Sequence, residues 1–100
     1  MKLTVNKVKE GTLEEFADRY GFEMVVKERA NPSDPNMKFY AKFPRCEILE
    51  RSLLIGKCGN GETVEDAIRD YASQISGELL VKNAHTKERQ EIRVWRLTCE

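Results

Sequence analysis

Gly59-Asn60-Gly61-Glu62-Thr63-Val64-Glu65-Asp66-Ala67-Ile68-Arg69-Asp70-Tyr71-Ala72-Ser73-Gln74-Ile75-Ser76-Gly77 sets the order of elements along this chain. It reads as a glycine turn, a helix start, one amphipathic helix and a glycine stop. Val64, Ala67, Ile68, Tyr71, Ala72 and Ile75 fall at i, i+3, i+4, i+7, i+8 and i+11, a single helical stripe. Glu65, Asp66, Arg69, Asp70, Ser73 and Gln74 occupy the opposite face. Thr63 is placed to cap the helix, with Asp66 three residues on in a capping-box arrangement. The acids Glu62 and Glu65 sit where the helix dipole favours negative charge.

Working outward, Thr12 to Tyr20 predicts a first helix with the stripe Leu13, Phe16, Ala17, Tyr20, a Thr12/Glu15 capping box and Gly21 as its stop. Phe22 to Glu28 and Met37 to Phe43 alternate as strands, on either side of the loop Asn31-Pro32-Ser33-Asp34-Pro35-Asn36. A third strand is expected over Ile48 to Lys57. After the long helix, Leu79 to Val81 and Glu91 to Leu97 read as strands around a polar turn from Asn83 to Gln90. Residues 1–9 read as a short strand or an arm. The expectation is one α+β domain over residues 1–100. It divides into an arm at 1–11, a two-layer unit with an antiparallel sheet at 12–82, and a polar turn plus terminal strand at 83–100. The element order is α-β-β-β-α with a C-terminal β-β extension, both helices covering one side of the sheet.

Composition narrows the function. The 100 residues carry 17 basic and 17 acidic side chains, a formal balance of zero, whereas a dedicated nucleic-acid binder carries a basic excess. The charges are segregated: residues 61–80 hold one base against five acids, and residues 81–96 hold five bases against two acids. No apolar run approaches the roughly 20 residues that cross a bilayer. Met1 to Glu10 lacks the apolar core of a signal peptide, so a cytoplasmic protein without membrane contact is expected. Cys46, Cys58 and Cys99 show no paired spacing and read as reduced thiols, and with His85 the one imidazole, neither a metal site nor a cofactor is expected.

Lys38-Phe-Tyr-Ala-Lys-Phe-Pro44 followed by Gly59-Asn-Gly-Glu-Thr-Val-Glu-Asp-Ala-Ile68 resembles the HicB-type antitoxin family, with its aromatic strand and its glycine-threonine-acid helix start. The α-β-β-β-α order, with Tyr20-Gly21 closing the first helix, resembles the double-stranded RNA-binding domain. The resemblance spans about residues 12–82, and the chain's style is similar to small tailed-phage proteins. It implies a phage or mobile-element protein acting in the host cytoplasm on a host or toxin-like partner protein. At the start of the second helix the RNA-binding family places lysines, where this chain has Val64, Glu65, Asp66, Ala67 and Ile68.

His85 has no nucleophile beside it, so no catalytic residue is assigned and the protein is read as a non-enzymatic binding module. Gly59-Asn60-Gly61 lacks the lysine and length of a phosphate-binding loop and reads as a tight strand-to-helix turn. The surface candidates for partner binding are the C-terminal Lys87, Arg89, Arg93, Trp95 and Arg96, the strand residues Tyr40 and Lys42, and the acids Glu65, Asp66 and Asp70. Arg and Trp are enriched at binding hot spots. Strand alternation would put Arg93 and Trp95 outward if Ile92 and Val94 face the core. Together with Lys38, Tyr40 and Lys42 they would form an aromatic and basic sheet face, the alternative reading being RNA or single-stranded nucleic-acid binding. The same terminal strand would offer an edge for a homodimer.

Overall fold

The computed structural model describes residues 10–98, an α+β chain with two α-helices and strands in three sheets. In chain order the elements are β1 (Glu10–Gly11), α1 (Leu13–Tyr20), β2 (Val25–Glu28), a short 3-10 turn (Pro35–Met37), β3 (Phe39–Lys42), β4 (Cys46–Glu50), β5 (Leu53–Ile55), β6 (Gly59–Gly61), α2 (Val64–Ile75), β7 (Leu79–Lys82), β8 (Gln90–Arg93) and β9 (Arg96–Leu97). The expected arm at residues 1–9 lies outside the described residues, and so does Cys99. Glu10 and Gly11 pair in parallel with Arg96 and Leu97.

Both helices form where the sequence places them, because their start and stop signals are local. Thr12 accepts from Glu15 N–H while the Glu15 carboxylate reaches back to Thr12 N–H, a full capping box, and Gly21 ends α1 at φ 71°. Thr63 accepts from Asp66 N–H at 3.1 Å. The reciprocal half does not form, since the shorter Asp66 carboxylate turns to Arg69 instead, at 3.3 Å.

The single antiparallel sheet expected for the α-β-β-β-α unit is divided. The antiparallel order β2-β3-β6 forms one three-stranded sheet, and β5-β4-β7-β8 forms a second, also antiparallel. The strand expected over Ile48–Lys57 is instead the hairpin β4/β5. It turns at Arg51 (φ 49°) and Ser52 (φ 69°), the paired left-handed geometry of a two-residue hairpin that sequences usually signal with Asn or Gly. The strand expected over Glu91–Leu97 also breaks, at Val94-Trp95 between β8 and β9.

Gly59-Asn60-Gly61 is itself strand β6 and not simply a turn. A Cβ on Gly59 would strike the backbone of Ala67 and Tyr71, and one on Gly61 would lie 2.5 Å from Ala67 N and 2.6 Å from Asp66 Cβ. The glycines thus let α2 lie directly on β6, with Ala41 of β3 buried beside them. The core gathers Phe16, Phe43, Ile48, Tyr71, Ile75, Leu80 and Val94. Phe43 is its hinge, stacked on Phe22 (4.9 Å between centroids) and edge-on to Tyr71 (5.5 Å, 86°).

Candidate functional site

Two faces of the molecule carry unsatisfied chemistry. The first is a groove between α1 and α2. Two adjoining depressions of about 280 and 230 Å3 share Leu13, Glu14 and Ile68. The floor adds Ala17, Phe22, Met24 and Ala72, and the rim carries Glu14, Asp18 and Glu65. These three carboxylates are exposed and make no ion pair among the described residues. Among the described residues the rim's one cation is Arg69, which is paired with Asp66. The capping box produces this arrangement, because fixing the first turn of α1 sends Leu13 and Phe16 inward and leaves Glu14 beside the groove.

The second is the outer face of β2-β3-β6, away from α2. Register places Val25, Lys27, Tyr40, Lys42 and Asn60 there, since Gly59 and Gly61 point at α2 and carry Ala41 and Phe39 with them. Arg29 stacks its guanidinium 4.6 Å from the Tyr40 ring centre and donates to Met37 O at 2.6 Å. Beyond Lys42 the face continues into an open cleft of about 420 Å3 lined by Lys42, Phe43, Arg45, Cys46, Glu47, Gly56, Lys57 and Cys58. Arg45 stands in the left-handed region at φ 59°, and its carbonyl accepts from Asn83 N–H at 3.0 Å. Burial pushes the Cys46 thiol up to about 11, against the opposing pull of Lys82 and Arg45. That thiol is therefore protonated near neutrality.

The candidate residues named from the sequence are scattered between these faces and the packing. Glu65 lines the groove. Asp66 holds Arg69, and Asp70 turns inward, accepting from Asn60 N–H at 2.8 Å and from the Gln74 amide at 3.1 Å. Tyr40 and Lys42 share the outer sheet face as expected from alternation. Trp95 does not stand on an open face. Its ring is half-buried, edge-on to Phe16 (5.4 Å, 81°) and near Tyr20 (6.1 Å), where the backbone of Val94 and Trp95 still bonds Glu78 and Gly77 between β8 and β9. Arg89 pairs with Glu91 at 3.3 Å, Arg96 with Glu10 at 3.8 Å, and Arg93 donates to Gly77 O at 3.2 Å. Lys87 is exposed in the polar turn, as is His85. The structure does not join the C-terminal bases to Tyr40 and Lys42 in one platform.

Sequence reading missed Glu14 and Asp18 as groove partners of Glu65, and Lys27, Arg29, Arg45 and Lys57 as neighbours of Tyr40 and Lys42. Alternation marks Lys27 once the strand register is known. Arg45 and Lys57 come from two connections and carry no periodic signal. No protein-family model, curated protein or solved structure matches this chain.

Proposed function

We propose that this protein is a non-enzymatic binding module that acts by occupying a partner protein, seating a basic amphipathic segment of that partner between α1 and α2. The observation that carries this reading is the pairing of an apolar floor (Leu13, Ala17, Phe22, Met24, Ile68, Ala72) with a rim of carboxylates, Glu14, Asp18 and Glu65, that make no ion pair among the described residues. Apolar side chains of the partner gain about 25 cal/mol per Å2 on entering such a floor. The rim charges set orientation and speed of encounter more than affinity. Occupancy alone is the activity.

The resemblance of the stretches Lys38 to Pro44 and Gly59 to Ile68 to HicB-type antitoxins favours a host or toxin-like protein as that partner. A phage or mobile-element origin and action in the host cytoplasm belong to the same proposal. The test is a tagged pull-down from bacterial lysate, with and without nuclease, comparing wild type with Glu14→Lys/Glu65→Lys. Both positions are exposed, and because both stand in the first turn of a helix, where the dipole favours acids, circular dichroism checks that the variant is folded. One stoichiometric protein that survives nuclease and is lost from the double variant is expected. Undiminished capture by the variant overturns the groove as the site.

A further inference from the structure

We infer that the opposite face, from Arg29 and Tyr40 across Lys42 to the Arg45/Lys57 cleft, binds a single-stranded polynucleotide. Three observations carry this, and none involves the α1/α2 groove. First, four cations there are available to a ligand: among the described residues Lys27, Lys42, Arg45 and Lys57 make no ion pair, while Lys38 beside them is held by Glu28 at 3.7 Å. The strand residues of that face include no carboxylate, and among the described residues Glu47 is the single acid lining the cleft. Second, the face has a cation–aromatic pair. Arg29 donates to Met37 O, which holds its guanidinium over the Tyr40 ring, 4.6 Å from the ring centre. Bases stack on aromatic rings and on arginine planes. Third, the parts lie in line. Tyr40 and Lys42 are two residues apart on one strand, about 7 Å at ~3.4 Å per residue, and Lys42 is shared between the sheet face and the cleft that adds Arg45 and Lys57.

A cation–aromatic pair followed by a row of unpaired cations is the pattern of sequence-tolerant single-strand binding, in which bases stack and the backbone tracks a positive groove. A partner recognised by charge alone would gain nothing from the Arg29/Tyr40 pair. A rigid duplex would present no exposed base plane to it.

The test is fluorescence anisotropy with labelled 12-nucleotide oligothymidylate and oligouridylate, over 50–300 mM salt. Saturable binding of at least one of them is expected, weakening with salt with a log–log slope near −3, about 0.7 for each of four phosphate contacts. Lys42→Glu/Lys57→Glu should weaken binding at least tenfold and make the slope shallower. Tyr40→Ala should weaken it about five- to hundredfold, and Tyr40→Phe should restore it. Lys87→Glu should leave it unchanged. Failure of both oligonucleotides to bind at 100 μM in 50 mM salt overturns the inference. So does equal competition by polyglutamate, which has the charge without the bases. The pull-down partner, if the groove reading holds, should be captured equally by Lys42→Glu/Lys57→Glu and by wild type, so loss of the groove reading and loss of this one are separable.

Discussion

The Asp70 carboxylate accepts the backbone N–H of Asn60 at 2.8 Å, closing the free edge of β6 from the helix that lies on it. Gln74, one turn further along α2, donates both to that carboxylate (3.1 Å) and to Cys58 O (2.8 Å). Residues on the polar face of an amphipathic helix thereby become part of the packing. An exposed strand edge is a template for unwanted pairing, and here a side-chain clamp takes its place.

Removing that clamp should weaken the fold. Asp70→Ala strands a part-buried N–H and is expected to cost about 1–3 kcal/mol, read as a lower urea midpoint at unchanged slope. Gln74→Ala should cost less, about 1 kcal/mol. An unchanged midpoint for Asp70→Ala would mean the bond contributes nothing in solution.

Glycines should separate into two classes. Gly59→Ala and Gly61→Ala force a methyl into the backbone of α2 and are expected to cost about 3 kcal/mol or more. Gly21→Ala meets open space and pays only for its left-handed φ of 71°, about 1 kcal/mol. Thermal melts of the three variants measure the gap, and equal losses would contradict the close approach of α2 to β6.

Trp95 is expected to report on packing. Trp95→Ala removes the edge-on contacts to Phe16 and Tyr20 and should destabilise by about 2–4 kcal/mol. Since Trp95 is the one tryptophan, its emission should shift to the red on unfolding in step with circular dichroism. A Trp95→Ala variant as stable as wild type would place the ring outside the core.

Alkaline pH should unfold the protein in a defined window. Burial raises the Cys46 thiol from 9.0 to about 11 and the Tyr71 phenol from 10.0 to about 12, the latter opposed by a backbone hydrogen bond with Phe43. Each group is neutral when protonated and holds its proton more tightly folded than unfolded. Their contribution is therefore complete below pH 9 and is lost as pH rises through 11 and 12. Urea midpoints at pH 7, 9 and 10.5 should be flat, then falling. Tyr71→Phe should reduce the fall, and an identical fall in Tyr71→Phe would assign it elsewhere.

Helix positions were legible in the sequence because their determinants are within one or two turns: Thr12 with Glu15, Thr63 with Asp66, the stripe from Val64 to Ile75, and Gly21 and Gly77 in left-handed stops. The alternation of β3 was equally local, and it put Tyr40 and Lys42 on one face correctly. Tertiary structure alone decided the rest. Arg51 and Ser52 take up a hairpin turn without turn residues because β4 finds both β5 and β7 to pair with. Trp95 is half-buried where alternation would leave it open, because α1 brings Phe16 and Tyr20 against its ring. Glu14 joins Glu65, and Lys42 joins Lys57, across distances in sequence that no periodicity spans. Hydrogen bonding within a turn is written in neighbouring residues, whereas which charges end up unpaired on a common face depends on how separate elements dock.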